Sequence, residues 1–238
     1  VSEQSSGAPA ARVTPTIEEY LESIYNMAME GDTVIGARLA ERFRVSAPTV
    51  TETLKRMVRD GLVAMDDRRQ ITLTPRGIEL AEAVLRRHRL TERFLVDMLG
   101  MQWHQVHEEA CRLEHHISGA VEERVVAALD HPTTCPHGNP IPGYVPNARE
   151  YLSDNGAIRL LNLPAGHDAR ILLVSEVVED EEALISYLHD RGLMPSTTVR
   201  LQRSPAADDT TVDLEVGPQR EPVSVAARVA HALWVVPL

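Results

Sequence analysis

The amino-acid sequence predicts a mainly helical chain with added β structure. An N-terminal winged helix-turn-helix comes first, then a helical middle part, then a small C-terminal β-barrel. Three observations predict this. A helix, turn, helix and hairpin follow one another between residues 14 and 74, helical apolar spacing continues to about residue 129, and short alternating stretches separated by turn residues follow from 156. The 238 residues carry a formal charge of −11 and are 43% hydrophobic, a globular composition that excludes collagen, long coiled coil and wholesale disorder. No apolar run reaches the roughly 18 residues of a spanning helix, and residues 1–9 lack the basic-then-apolar order of a signal peptide, so a cytoplasmic protein is expected. Two cysteines, Cys111 and Cys135, make no disulfide framework, and thiols in a reducing compartment are explained by metal, catalysis or burial. Aromatics at 4% speak against an RNA-stacking surface.

Residues 1–13, rich in Ser, Gly, Ala and Pro, read as a disordered tail. Ile17, Tyr20, Leu21, Ile24, Tyr25 and Ala28 then mark helix one, with Thr16 and Glu19 spaced as a capping box. A short amphipathic helix over 35–45 leads to Ser46, a capping residue, and Pro48, suited to a first turn. The next helix runs through Val50, Leu54, Met57 and Val58 to Asp60-Gly61, and 62–74 reads as two strands about a polar tip. Helices are expected over 76–99, 103–118 and 119–129. The Pro- and Gly-rich 135–143 and a polar linker at 146–155 follow. Strands are expected at 159–163, 169–175, 198–202, 211–215, 223–226 and 234–237, with one helix at 181–191. The span 226–234 is ascribed to core packing. The expected domains are 14–80, 81–145 and 156–238.

Between Ile35 and Arg76 lie nine basic and five acidic residues, a local +4 inside an acidic chain. Affinity for nucleic acid depends on the face that meets phosphate, so the overall sign does not exclude DNA. Ser46, Pro48, Thr49 and Glu52 fall on the turns that would enter a major groove. Lys55, Arg56 and Arg59 are placed for phosphates, and Arg68 and Arg69 tip the wing. A charged face without a partner is the plainer explanation of charge alone; charge with helix order and wing favours DNA.

His107, Cys111, Glu114 and His115 recur at i, i+4, i+7 and i+8, which gathers thiol, carboxylate and imidazoles on one helical stripe. His88 and Glu92 form an i, i+4 pair, and Glu19 and Glu22 an i, i+3 pair. Taken singly each has a plainer explanation: Glu19 closes a capping box, Cys111 belongs to a core, His88 is one more basic residue beside Arg86, Arg87 and Arg89. The runs 48–63, Arg87-His-Arg-Leu-Thr-Glu-Arg-Phe-Leu95, Val106-His-Glu-Glu-Ala-Cys-Arg-Leu-Glu-His115 and His137-Gly-Asn-Pro-Ile-Pro-Gly143 together resemble the diphtheria toxin repressor family of metal-dependent transcriptional regulators, which includes iron-dependent and manganese-type members. The resemblance covers about 15–238 and is most specific up to Gly143.

What the resemblance implies is a DNA-binding winged helix-turn-helix, a helical dimerisation and metal domain, an SH3-like C-terminal domain, and repression of metal-uptake genes on palindromic operators by a metal-loaded homodimer. It implies a main site of Glu19, Cys111, Glu114 and His115. It implies a second site of His88, Glu92, His107 and a C-terminal carboxylate placed at Glu181, with Asp180 or Glu182 as substitutes and Leu184 where the family has an amide. Glu19 stands where iron-type members carry Met, Glu22 is acidic as in manganese-type members, and Cys111 stands where those have Glu. Carboxylate in place of thioether favours a harder ion, so Mn(II) is expected ahead of Fe(II), with Co(II) or Zn(II) as substitutes in vitro. Metal held by helix one and the 111–115 cluster would join two domains whose carboxylates otherwise repel, and so select a spacing of recognition helices. No enzyme, membrane or small organic substrate is expected. A metal hydrolase or thiol nucleophile built on Cys111 lacks a nucleophile turn, a metal buffer does not explain the DNA-like head, and a zinc site of His131, Cys135 and His137 fits no strong spacing.

Overall fold

The computed structural model describes residues 13–177, 181–203 and 210–238, with only the backbone of 181–182. The expected tail lies outside the described residues apart from Val13, as do Asp180 and the side chains of Glu181 and Glu182. Helix α1 (Pro15–Met29) starts from Thr14, with Pro15 in the first turn and no side-chain cap. The expected Thr16–Glu19 capping box is not used, because the helix begins before Thr16. That leaves Glu19 inside the helix, its carboxylate free to face other elements. Helix α2 (Gly36–Phe43) stops where Arg44 turns left-handed at φ 52°. Helix α3 (Ala47–Arg59) is capped by Ser46, whose hydroxyl accepts from the Thr49 amide at 3.4 Å. Strands β1 (Val63–Met65) and β2 (Ile71–Leu73) form the wing, and Leu21, Ile24, Leu39, Val50, Leu54, Met57 and Ile71 fill the core beneath it.

Helix α4 (Pro75–Asp97) is the spine. Its 23 residues span about 35 Å at 1.5 Å per residue. Ala81 and Leu85 belong to the reading-head core, while Leu90 packs one turn further on with Val126 and Ile141. One rigid helix therefore carries residues of both parts. The helix expected over 103–118 is shorter: α5 (Val106–Leu113) tightens into a 3-10 turn over Glu114–His116 before α6 (Gly119–Ala128). The expected linker is anchored by a 3-10 turn at Ala148–Glu150 and by α7 (Tyr151–Asp154), which buries Leu152.

The C-terminal part is an antiparallel sheet of six strands in the order β3-β8-β4-β5-β6-β7. They are β3 (Ile158–Arg159), β4 (Asp168–Val174), β5 (Thr198–Leu201), β6 (Thr211–Val216), β7 (Glu221–Ala226) and β8 (Leu233–Pro237). Helix α8 (Glu181–His189) and the short α9 (Ala227–His231) pack on the same core of Leu160, Ile171, Leu188, Leu214 and Leu233. Helix α9 was not expected from the strand-like alternation around it.

Two contacts fix this sheet against the helices. The loop at 135–143 lies on β4, with Gly138 at φ 88° so close that a Cβ would sit 2.2 Å from the Leu172 carbonyl. The Val174 amide donates to His137 O at 3.0 Å, and Asn139 Nδ2 to Val174 O at 2.9 Å. Beyond β4, Ser175 and Glu176 enter between α1 and α4. Ser175 Oγ donates to Glu30 at 2.7 Å, where Arg159 Nη2 also donates at 2.6 Å. Glu176 accepts from Asn26 Nδ2 at 2.8 Å and from Arg89 Nη2 at 2.7 Å, while Arg89 Nη1 donates to Pro140 O at 2.6 Å. Burial opposes the Glu176 charge, but Arg89 outweighs it and holds the carboxyl below its ordinary range. Arg89 is wholly buried.

Removing one partner of such a pair strands the other charge in the interior. Arg89→Met should lower the unfolding free energy by about 3–5 kcal/mol in urea titrations, and Arg89→Met with Glu176→Met should recover most of the loss. A single variant as stable as wild type contradicts this.

Candidate metal centre and DNA-reading face

Glu19 and Glu22 on α1, Leu85 and His88 on α4, His107 and Cys111 on α5, Glu114 on the 3-10 turn, and Glu176 beyond β4 all line one cavity of about 140 Å³. Six of the residues expected as ligands thus share a single space. His88 bridges two carboxylates there, with Nδ1 at 2.5 Å from Glu114 Oε2 and Nε2 at 3.2 Å from Glu92 Oε1. Cys111 Sγ is 3.6 Å from His107 Nε2 and 4.0 Å from His88 Nδ1. His115 flanks the cavity, its Nε2 3.3 Å from Glu114 Oε1. The two expected sites therefore merge into one continuous cluster around His88.

The electrostatics follow from burial and proximity. Burial disfavours the His88 cation, but Glu92, with hydrogen bonds to Cys111 and Glu114, outweighs it and raises the pKa well above the ordinary value. Burial likewise opposes charge on Glu92, yet His137 and then His88 hold that carboxyl well below its usual range. The Cys111 thiol is lowered despite burial, through hydrogen bonds from His107 and His88. For Glu22 the pull of His88 is outweighed. Burial, and then repulsion from Glu114, push its carboxyl well above the carboxylate range, and its sealed Oε1 has no hydrogen-bond partner among the described residues. Glu19, at the exposed rim, is raised by burial with an opposing pull from His115.

A cation fits this arrangement. Carboxylate oxygens, imidazole nitrogens and a thiol of lowered pKa line the space, and one buried oxygen of a lining residue, Glu22, lacks a donor among the described residues. Donor atoms of His88, His107 and Cys111 lie within 4.8 Å of one another, as do those of Glu92, Cys135 and His137. The second trio was expected with His131 in place of Glu92, but His131 is exposed after α6. Glu92 is expected with His88, His107 and a C-terminal carboxylate; its carboxylate also faces His137 Nδ1 at 3.3 Å, while His137 Nε2 meets the Trp103 carbonyl at 3.0 Å. Leu184 packs on the apolar core of the C-terminal sheet. Among the described residues, Glu176 is the C-terminal carboxylate that lines the cavity. The sequence hid it because its role depends on Arg89, 87 residues away.

The reading face is built on α3. Val50, Thr53, Leu54 and Met57 point inward, which leaves Ser46, Pro48, Thr49, Glu52, Lys55, Arg56 and Arg59 exposed. Lys55 pairs with Glu52 at 2.7 Å and Arg59 with Asp60 at 3.0 Å. Asp66 Oδ1 accepts from the Arg68 and Gln70 amides and Arg69 adopts φ 60°, a tight tip that holds both exposed arginines beyond the hairpin. Among the described residues no helix is long and apolar enough to cross a membrane.

The iron-dependent repressor N-terminal DNA-binding domain model matches residues 12–71, the iron-dependent repressor metal-binding and dimerisation domain model matches 74–143, and the FeoA domain model matches 158–237. The iron-dependent repressor IdeR of Mycobacterium bovis is 42% identical over 225 residues, covering 92% of this chain and 96% of that protein. The chain belongs to the iron-dependent, or diphtheria toxin, repressor family. This repressor is also 43% identical over 188 residues to the diphtheria toxin repressor of Corynebacterium efficiens, covering 77% of this chain and 81% of that one. A solved manganese-dependent transcriptional repressor in complex with manganese superposes with a TM-score of 0.79 at 31% identity, covering 93% of this chain and all of the other. It is a metal-dependent transcriptional repressor, iron- or manganese-responsive, with DNA-binding and dimerisation domains.

Because the folded state holds Glu22 at a raised pKa, native protein takes up its proton more readily than unfolded chain. Metal-free stability should fall as pH rises above 4.5 through the raised value. Glu22→Gln should raise the metal-free melting temperature at neutral pH, with the gain vanishing in acid, and should weaken divalent-ion binding. A gain independent of pH would contradict the assignment.

Proposed function

We propose that this repressor responds to manganese, and that Glu19 and Glu22 of α1 join Cys111, Glu114 and His115 as ligands of the activating ion. One observation carries the reading: two carboxylates of α1, which is part of the reading head, line the same small cavity as the donors of α4, α5 and the 3-10 turn, and one of them has a sealed oxygen without a partner among the described residues. When bound, a divalent cation cancels the repulsion among these carboxylates. Glu19 and Glu22 then hold α1 against α5, and because α1 packs on the same core as α3, the position of the recognition helix follows. His88, with Glu92 and His107, completes a second position. Cys135 and His137 approach Glu92 from its other side and support an ancillary site there. Glu181 stays a candidate for a C-terminal ligand.

The working unit is a homodimer on palindromic double-stranded operator DNA in the cytoplasm, since a two-fold operator suits a two-fold protein. We assign the reading head to residues 14–80, the dimerisation and metal part to 81–145, a linker to 146–155 and the SH3-like part to 156–238. The Cys111 thiol serves as a ligand, not as a nucleophile. Oxygen donors at Glu19, Glu22 and Glu114 favour Mn(II), and Cys111 favours Fe(II) as the second reading. Co(II) and Zn(II) are in vitro substitutes.

Fluorescence anisotropy on a labelled operator, starting from chelator, tests this. Mn(II) should promote binding by wild type, and Glu19→Met should move the preference toward Fe(II) or Co(II). Equal responses to Mn(II) and Fe(II) in both proteins would contradict the manganese assignment, and binding without metal would contradict the metal switch. In the same assay Arg56→Ala should weaken binding to all sequences alike and lower the salt slope by about 1, as loss of one phosphate contact does. A change confined to one base position contradicts that role.

A further inference from the structure

We propose that Glu18 is a positioning residue of the metal centre, holding the Nδ1–H of His115 so that Nε2 is the nitrogen presented to the ion. The inference rests on the reading of His115 as a ligand. Glu18 lies on α1 one turn before Glu22, and its Oε2 is 2.6 Å from His115 Nδ1, across 97 residues of sequence. A carboxylate so placed accepts a hydrogen bond from Nδ1, which keeps its proton, so Nε2 is the nitrogen whose lone pair an arriving ion can take. That nitrogen lies on the side of the neighbouring ligand candidate, 3.3 Å from Glu114 Oε1. Glu18 itself does not line the cavity that Glu19, Glu22 and Glu114 share.

Glu18 is held in turn. Arg87 Nη2 is 3.6 Å from Glu18 Oε1, while Arg87 Nε donates at 2.9 Å to the backbone carbonyl of Glu114. The same guanidinium thus bridges the carboxylate that orients His115 and the 3-10 turn that carries both Glu114 and His115. With side chains only 19% and 13% exposed, Glu18 and His115 are shielded from competing water. A carboxylate that accepts the second ring N–H of a ligand histidine fixes its tautomer and ring direction and strengthens the other nitrogen as a donor. Here that carboxylate comes from the reading head and the histidine from the middle part, so the contact aligns the two halves of the centre before any ion arrives.

The test compares full-length wild type, Glu18→Ala and Glu18→Gln by two measurements. Long-range ¹⁵N–¹H imidazole spectra of the metal-free proteins, recorded at alkaline pH where the ring is neutral, report the His115 tautomer, and calorimetric titration with Mn(II) reports affinity. Wild type should show the Nδ1–H form. Glu18→Ala should shift His115 toward Nε2–H and weaken Mn(II) binding about 10–100-fold. Glu18→Gln, whose amide oxygen still accepts, should keep the Nδ1–H form and recover most of the affinity. An unchanged tautomer and affinity in Glu18→Ala, beside normal wild-type binding, overturns this inference alone. So does a Glu18→Gln variant as weak as Glu18→Ala with the wild-type tautomer retained, which would make Glu18 a direct ligand. Wild type that binds no divalent ion overturns the metal-centre reading itself.

Discussion

Negative charge converges on a small space here, and the rest of the structure is arranged around that constraint. Glu19, Glu22, Glu114 and Glu176 line one cavity of about 140 Å³, with Glu92 just behind His88. Like charges at such distances cannot all persist unless something positive lies among them. The middle part supplies its own compensation, because His88 stands between Glu92 and Glu114, and Arg89 faces Glu176. Helix α1 receives less: Glu19 feels His115 from the rim, and Glu22, drawn by His88 too weakly to offset its burial, keeps a buried oxygen without a donor among the described residues. The imbalance falls on the helix that belongs to the reading head, which is where a cation would change the energy of domain association most.

The C-terminal sheet enters the same constraint from outside. Ser175 and Glu176 reach between α1 and α4, and they tie to α1 through Glu30 and Asn26 and to α4 through Arg89. Apart from Glu176, which also lines the cavity, these bonds do not involve the candidate metal ligands. The position of α1 is therefore set by a compensated network near its C-terminal end, by the Glu18–His115 contact in its first turn, and by the uncompensated carboxylates Glu19 and Glu22 between them. A helix with an electrostatically frustrated cluster between two anchors is suited to respond to an ion by a change in its first turns.

The reading head was legible because it is local. Ser46 and Pro48 announce the start of α3, and Val50, Leu54 and Met57 fix its inner face. The candidate metal ligands were legible mainly through resemblance, since a Glu or a Cys on an amphipathic helix has plainer explanations until three helices are seen together. Spacing misled in one place. Glu114 and His115 were read as a continuation of α5, yet they lie on a 3-10 turn that Arg87 holds through the Glu114 carbonyl. Glu18, Glu176 and the Glu92–His137 contact were not legible at all. Each depends on a partner between 45 and 97 residues away, and no local pattern encodes such a meeting.

The central claim is that metal acts by fixing α1 against the middle part. Hydrogen–deuterium exchange of the full-length protein with and without Mn(II) tests it most directly. Amide exchange in the first two turns of α1 should slow markedly on Mn(II) addition, together with that of α5, while the C-terminal end of α1 near Asn26 and Glu30 changes little. Protection confined to α4 and α5, with α1 exchanging as fast as in chelator, would contradict the account.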